Sequence, residues 1–252
     1  MKGLIFAAGL GTRLHPITLT KPKALVEVGG VPMLGRVISK LKDFGVTDLT
    51  VNVFHFANQV IDYIKANNSF GIDIHISDER PTLLDTGGGI VRARRWLEGS
   101  EPILIHNADI FTDFDIAHML AVHESSRSAA TLLASLRISS RYLLFDSEGT
   151  MQGWTNKSTG EVKPEGLVAE SLTPLAFGGV HIISPSILPL LADYGKEVFS
   201  IIPFYIDFCK KLRITAHIPA QPYNWIDIGK PESLAIARQL FCSEKSAKQL
   251  DI

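Results

Sequence analysis

The 252 residues, 46% hydrophobic and 20% charged, are enough to build one large packed core. Basic and acidic residues nearly cancel, leaving a net charge of −1. That balance disfavours nucleic-acid binding by bulk phosphate neutralisation, so any anion site must be assembled locally.

Short apolar runs alternate with amphipathic segments. LIFAA (4–8) reads as a buried strand, and VPMLGRVISKLKDFG (31–45) has helical spacing at Met33, Val37, Ile38 and Leu41 with Gly45 as its stop. LTVNVF (49–54) is a strand, ANQVIDYIKANN (57–68) a helix, and IDIHIS (72–77) alternates as a strand does. GGGIVRARRWL (87–97) is helical, PILIHNAD (102–109) is a strand with an acidic end, and IAHMLAVHES is a helix after Asp115. This alternation predicts an α/β fold, a Rossmann-like, mostly parallel mixed sheet flanked by helices. In such sheets ligands sit beyond the carboxyl ends of the strands, where the loop after strand one, TGGG and HNADIF all fall.

The second half is less regular. AATLLASL, YLLFDSEG, LAFGGVHII (175–183) and RITAHIPA read as strands, and STGEVKPEG (158–166) as a surface hairpin or loop. VFSIIPFYIDFCKKL (198–212) reads as a helix kinked by proline, and NWIDIGKPESLAIARQL as strand, turn and helix. No repeat or low-complexity linker divides the chain, so a single domain over 1–242 and a fraying tail over 243–252 are expected. Cys209 and Cys242 have neither CxxC nor zinc spacing and suit a reducing compartment. No apolar run approaches the ~18 residues of a membrane span. MKGLIFAAG is too soon interrupted to be a signal peptide. A cytoplasmic protein with neither membrane nor nucleic-acid partners is expected.

The stretch FAAGLGTRLHPITLTKPKAL (6–25) demands explanation, because no core needs its glycines and three cations after the first strand. Glycines let main chain approach a ligand, and successive N–H groups form an anion cradle. Arg13 can grip phosphate oxygens bidentately, and Lys21 and Lys23 add point charges. Pro16 and Pro22 stiffen the loop. GxxxxGK[ST] is absent, and a Rossmann fingerprint would need glycine where Leu14 stands and an acid that VNVFHF lacks.

AAGLGTRLHPITLTKPKAL resembles the signature G-x-G-T-R-x-x-P-x-T-x-x-x-P-K of the sugar-1-phosphate nucleotidyltransferases, the nucleotide-sugar pyrophosphorylases. The resemblance runs from Lys2 to about Leu240. It implies that main chain at Ala7, Ala8, Gly9, Gly11 and Thr12 faces base and phosphates, that Arg13 binds the polyphosphate, and that Lys23 stabilises charge on the reacting phosphate. Lys21 is left as a solvated charge.

Asp109 and Asp227 each follow a strand, a setting suited to Mg²⁺ held by two carboxylates plus phosphate oxygens. Pro231 is a natural first helical residue, which leaves Asp227 too far upstream to cap. Asp113 and Asp115 read as turn and cap groups. The resemblance implies that Asp109 and Asp227 are the metal ligands, although Ala108 departs from the usual glycine before the first.

LLDTGGGI (83–90) resembles the family's Leu-x-Thr-Gly or Leu-x-Thr-Ala element, which implies that Thr86 and Gly87 face base and sugar. Glu79, within SDERP, is the candidate reader of the base edge. LAFGGVHII resembles the sugar-side strand, placing Gly178 and Gly179 against the sugar with Asn107 nearby. The usual Glu-Lys-Pro element is missing, and Lys157 is the candidate replacement, ahead of Asn156 and Glu170. The histidines form no HxH or HExxH, and no serine sits in a nucleophile elbow, so covalent catalysis is not indicated.

The resemblance implies joining of a nucleoside triphosphate to a sugar 1-phosphate with release of pyrophosphate. The short form looks most like the N-acetylmuramate-1-phosphate uridylyltransferases of cell-wall recycling. Mannose- or heptose-1-phosphate guanylyltransferases are the nearest rivals. Transfer to a non-sugar phosphate, or an inactive nucleotide-sugar sensor, are the alternatives from other classes.

Overall fold

The structure is a computed structural model and describes residues 1–248. The elements in chain order begin with β1 (Lys2–Phe6), β2 (Glu27–Val28), β3 (Val31–Pro32), α1 (Met33–Asp43), β4 (Asp48–Val53), α2 (Ala57–Ala66) and β5 (Asp73–Asp78). There follow α3 (Asp85–Leu97), β6 (Ile103–Asn107), β7 (Ile110–Thr112), α4 (Ile116–Ser126) and β8 (Ala130–Ser135). β9 (Arg141–Phe145), β10 (Met151–Asn156), β11 (Glu161–Lys163), β12 (Thr173–Ile183), α5 (Ile187–Ala192) and α6 (Ile201–Phe208) come next. The chain ends on β13 (Ile214–His217), β14 (Trp225–Asp227) and α7 (Pro231–Lys248).

Ten strands form one mixed sheet in the order β11-β10-β9-β12-β6-β1-β4-β5, with β8 paired to β12 and β13 to β8. The run β6-β1-β4-β5 is parallel, as the strand–helix alternation requires. β12 pairs antiparallel with β6, β8 and β9, so it joins that parallel half to the hairpins of the second half.

Successive side chains of a strand face opposite sides of a sheet. Leu4, Ile103 and Ile105 therefore enter the core under α3, α5 and α6, while Ile5 and Leu104 enter the core under α1, α2 and α4. A third, smaller apolar cluster joins Leu14, Val26, Val28 and Met33 to Ile228, Leu234 and Ala237.

Three local readings change. The helix expected over 198–212 covers only α6, and Pro203 lies in its first turn, where a missing N–H breaks nothing, so there is no kink. The three-residue strands β7 and β14 pair antiparallel in a separate small sheet. The expected tail over 243–252 begins inside α7, and residues 249–252 lie outside the described residues. Asp115 caps α4 as expected, accepting from the N–H groups of Ala117 and His118. Among the described residues, no helix is long and apolar enough to cross a membrane.

Candidate active site

The loop after β1 makes three single 3₁₀ turns, Thr12–Leu14, Ile17–Leu19 and Lys23–Leu25. Gly11 has φ +67°, and a Cβ there would lie 2.9 Å from Lys23 Cβ and 3.0 Å from Thr18 Cγ2. The glycine thus lets the stem of Lys23 cross the loop, and Thr18 Oγ1 fixes the crossing by donating to Gly11 O at 2.7 Å. Leu14, beside Arg13, is buried in the same cluster as Ile228, beside Asp227. Apolar packing therefore brings the cationic loop against the strand that carries the second acid.

The acids are brought together by backbone pairing. Asp227 of β14 stands opposite Ile110 of β7, and Ile228 N donates to Asp109 O at 3.0 Å. The ammonium of Lys23 is hydrogen-bonded to Asp109 Oδ2 and lies 3.7 Å from Asp227 Oδ1. Arg13 Nη2 lies 3.9 Å from Asp227 Oδ2, and its side chain is largely exposed. A Cβ on Gly229 would fall 2.7 Å from Arg13 Nη2, from Asp227 Oδ1 and from Lys23 Nζ. Gly229 is thus the open space around which the charges gather, and GKP after the aspartate was its only sequence signal.

Lys23 and Asp109 line a cavity of about 370 Å³ whose wall also includes Ala7, Ala8, Gly9, Asn52, Glu79, Thr86 and Asn107. Its back is organised differently from the expected N–H cradle. The N–H groups of Ala7 and Ala8 both donate to Asn52 Oδ1, at 2.6 and 3.2 Å, so they are not free for phosphate. Asn52 Nδ2 in turn donates to Glu79 Oε1 at 2.7 Å, and Leu84 N donates to Glu79 Oε2 at 3.0 Å. Both oxygens of Glu79 are thus engaged within the protein, and burial pushes its pKa up. It acts on the cavity through Asn52 rather than by presenting a free carboxylate. Asn52, a polar residue inside an apolar strand, was missed in the sequence.

Thr86 lines the cavity, and its Oγ1 accepts from Ile201 N at 2.9 Å at the start of α6. Asp85, just before it, has φ 60°, a left-handed conformation unusual outside glycine. Gly87 does not lie flat against the cavity. A Cβ there would strike Phe199 at 2.2 Å, and one on Gly88 would strike Glu197 O at 2.3 Å. These two glycines admit the 197–199 segment, whose Phe199 O accepts from both their N–H groups at 2.8 and 3.2 Å. Thr12 is exposed and outside the cavity wall.

Gly178 and Gly179 interrupt the β12–β8 register between Phe177 and His181. The bulge and the site coincide: Gly179 has φ +73°, and a Cβ there would lie 2.9 Å from Asn107 Nδ2. Trp225 Nε1 donates to Gly178 O at 2.8 Å. Lys157 is exposed in the β10–β11 turn and lines neither this cavity nor its neighbour. Arg137, Arg141 and Lys163 line an adjoining cavity of about 410 Å³. Lys163 stands in Val-Lys-Pro, one residue away from the Glu-Lys-Pro element sought in the sequence.

Asp109 and Asp227 are partly exposed hard-oxygen donors facing one space, a set that fits Mg²⁺ completed by phosphate oxygens and water. Among the described residues no three His, Cys, Asp or Glu side chains are grouped to hold a metal unaided.

The family model described as nucleotidyl transferase matches residues 2–244. An N-acetylmuramate alpha-1-phosphate uridylyltransferase of Caulobacter vibrioides is 30% identical over 238 residues, covering 91% of this chain and 92% of that protein. A probable mannose-1-phosphate guanylyltransferase of Oryza sativa subsp. japonica is also 30% identical, over 96% of this chain, which spans 64% of that longer protein. The crystal structure of HddC from Yersinia pseudotuberculosis complexed with GMP-PN superposes with a TM-score of 0.73 at 25% identity, covering 95% of this chain and 99% of that one.

Proposed function

The chain belongs to the nucleotidyl transferase family, and from that membership we propose that it joins UTP to N-acetylmuramate 1-phosphate, giving the UDP-sugar and pyrophosphate. The chain is a sugar-1-phosphate nucleotidyltransferase. The substrate pair is supported by the uridylyltransferase match, which spans nine-tenths of both proteins. The observation that carries the mechanism is the chain of contacts from Arg13 to Asp227 to Lys23 to Asp109, gathered beside Gly229 and reaching the cavity through Lys23 and Asp109.

In this reading an oxygen of the sugar phosphate attacks the α-phosphorus of the triphosphate in line. A new P–O bond forms, and the bond to the β-phosphate oxygen breaks, so its electron pair leaves with pyrophosphate. No covalent enzyme intermediate is involved, and the protein's task is positioning and charge stabilisation. Lys23, largely shielded from water, is held where charge develops on the reacting phosphate. Arg13, at the rim, grips the departing phosphates with its planar fork. Asp109 and Asp227 would hold Mg²⁺, which when bound neutralises the triphosphate. Asn52, locked by Glu79, fixes the Ala7–Gly9 main chain that walls the nucleotide.

Guanylyl transfer to mannose 1-phosphate is the second reading, supported by the 30% match to the rice protein. Pyrophosphate release measured over UTP, GTP, CTP and TTP against a panel of sugar 1-phosphates separates the two. UTP with N-acetylmuramate 1-phosphate should give the highest kcat/KM, and a maximum with GTP and mannose 1-phosphate would replace it.

A further inference from the structure

The adjoining cavity of about 410 Å³ is lined by Arg137, Arg141 and Lys163 together with Tyr142, Trp154 and Phe177, and no carboxylate lines it. It begins where the first ends: Ser200 in its wall has its Oγ 3.5 Å from Oγ1 of Thr86, which lines the first. Arg137 is fixed in place. Its guanidinium stacks 4.0 Å over the ring of Trp225, its Nη2 donates to Phe177 O, and its Nε is buried without a partner. Lys163 is already matched by Glu161 at 3.0 Å. Arg137 and Arg141 have no carboxylate within ion-pair distance among the described residues. Asp227 acts on Arg137 only from beyond ion-pair distance, and a half-buried guanidinium with no carboxylate in contact leaves room for a ligand to supply one.

The role of this cavity rests on the uridylyltransferase reading above, in which the acceptor's phosphate reacts beside Lys23. A cationic wall beyond Thr86 and Ser200 therefore meets the far side of the acceptor, not the reacting phosphate. We infer that this second cavity takes the acceptor sugar and that Arg137 and Arg141 bind a second anionic group on it, a carboxylate carried by the sugar ring. A planar carboxylate matches the guanidinium fork, and the rings of Trp154 and Phe177 offer an apolar wall to the sugar.

The test uses the full chain and two acceptors differing only in that group, N-acetylmuramate 1-phosphate and N-acetylglucosamine 1-phosphate, each with UTP. The wild type should prefer the acid by at least about 10-fold in kcat/KM, the scale of one charge-assisted hydrogen bond. Arg141→Gln, on an exposed position that spares the fold, and Arg137→Lys, which keeps charge but loses the fork, should each shrink that ratio mainly through the KM of the acid. A wild type that favours the neutral acceptor, or variants that weaken both acceptors equally, would overturn the inference. Absence of pyrophosphate release with both acceptors sinks the underlying reading and this one with it. Release with the neutral acceptor alone likewise sinks both, whereas turnover of the acid with a preference that neither variant changes sinks only this one.

Discussion

Lys23 donates a hydrogen bond to the carboxylate of Asp109, 86 positions further along the chain. Its ammonium also lies 3.7 Å from Asp227, so one cation sits between two acids from separate elements. Electrostatic stabilisation of this kind is worth roughly 100- to 1,000-fold in kcat when a single donor is removed. Lys23→Ala should therefore lower kcat by about that factor while changing KM for the triphosphate much less. Steady-state pyrophosphate release checks this, and an unchanged kcat removes Lys23 from the chemistry.

Gly229 carries the next prediction. A methyl group there would fall 2.7 Å from Arg13 Nη2, Asp227 Oδ1 and Lys23 Nζ. All three are ends of side chains, so they can shift with little strain. Misplacement by about 1 Å can slow an enzyme by roughly 100-fold. Gly229→Ala should lose about 10- to 100-fold in kcat/KM while its melting temperature stays near that of the wild type. A variant that melts much earlier, with full specific activity in its folded fraction, contradicts this.

The parallel half of the fold was legible because its signals are local. Met33, Val37, Ile38 and Leu41 repeat at helical spacing, and Gly45 at φ 102° ends that segment. Lys23 was legible through the long motif around it. The meeting of Asp109 with Asp227 was expected from their strand ends and the family resemblance, but the pairing that brings it about was not legible, because β7 and β14 have three residues each and are distant in the chain. Arg137 was missed for the same reason. Its place is fixed by Trp225 and Phe177, which nothing in LRISSR reveals. Lys157 was chosen by its region of sequence, but the hairpin turns it outward.

Asp109 and Asp227 yield a prediction about the metal. Two carboxylates would leave most positions of an octahedral Mg²⁺ to phosphate and water, so the ion should be held only together with substrate. EDTA should abolish pyrophosphate release and excess Mg²⁺ restore it. Asp227→Asn should raise the Mg²⁺ concentration needed for half-maximal rate. Full activity of the wild type in EDTA contradicts the assignment of both acids.

Asn52 accepts from two buried N–H groups and donates to Glu79. In Asn52→Ala those groups lose their partners, and a buried unsatisfied group costs about 1–3 kcal/mol. The variant should unfold at lower urea with an unchanged slope, and bind nucleotide more weakly because the Ala7–Gly9 wall is released. An unchanged midpoint would show that water replaces the side chain freely.

Buried histidines set the acid limit of the fold. Burial lowers His106, His123 and His217 to about 4 and His181 to about 3, all below the ordinary 6.5. A depressed folded pKa means the neutral ring is the one the fold accepts. That stability is complete above the unfolded pKa and drains away as pH falls from there towards the folded value. Each histidine then contributes up to about 1.4 kcal/mol per pH unit. His181 is the informative one, because both ring nitrogens lack hydrogen-bond partners and its neighbours include Phe177 and Tyr205. His181→Leu removes one titrating group and two unsatisfied atoms without opening a large cavity. Urea unfolding between pH 6.5 and 5 should show a shallower loss of stability than in the wild type, and greater stability throughout. An equal slope in the two proteins would mean that His181 charges in the folded state with no penalty, against its burial.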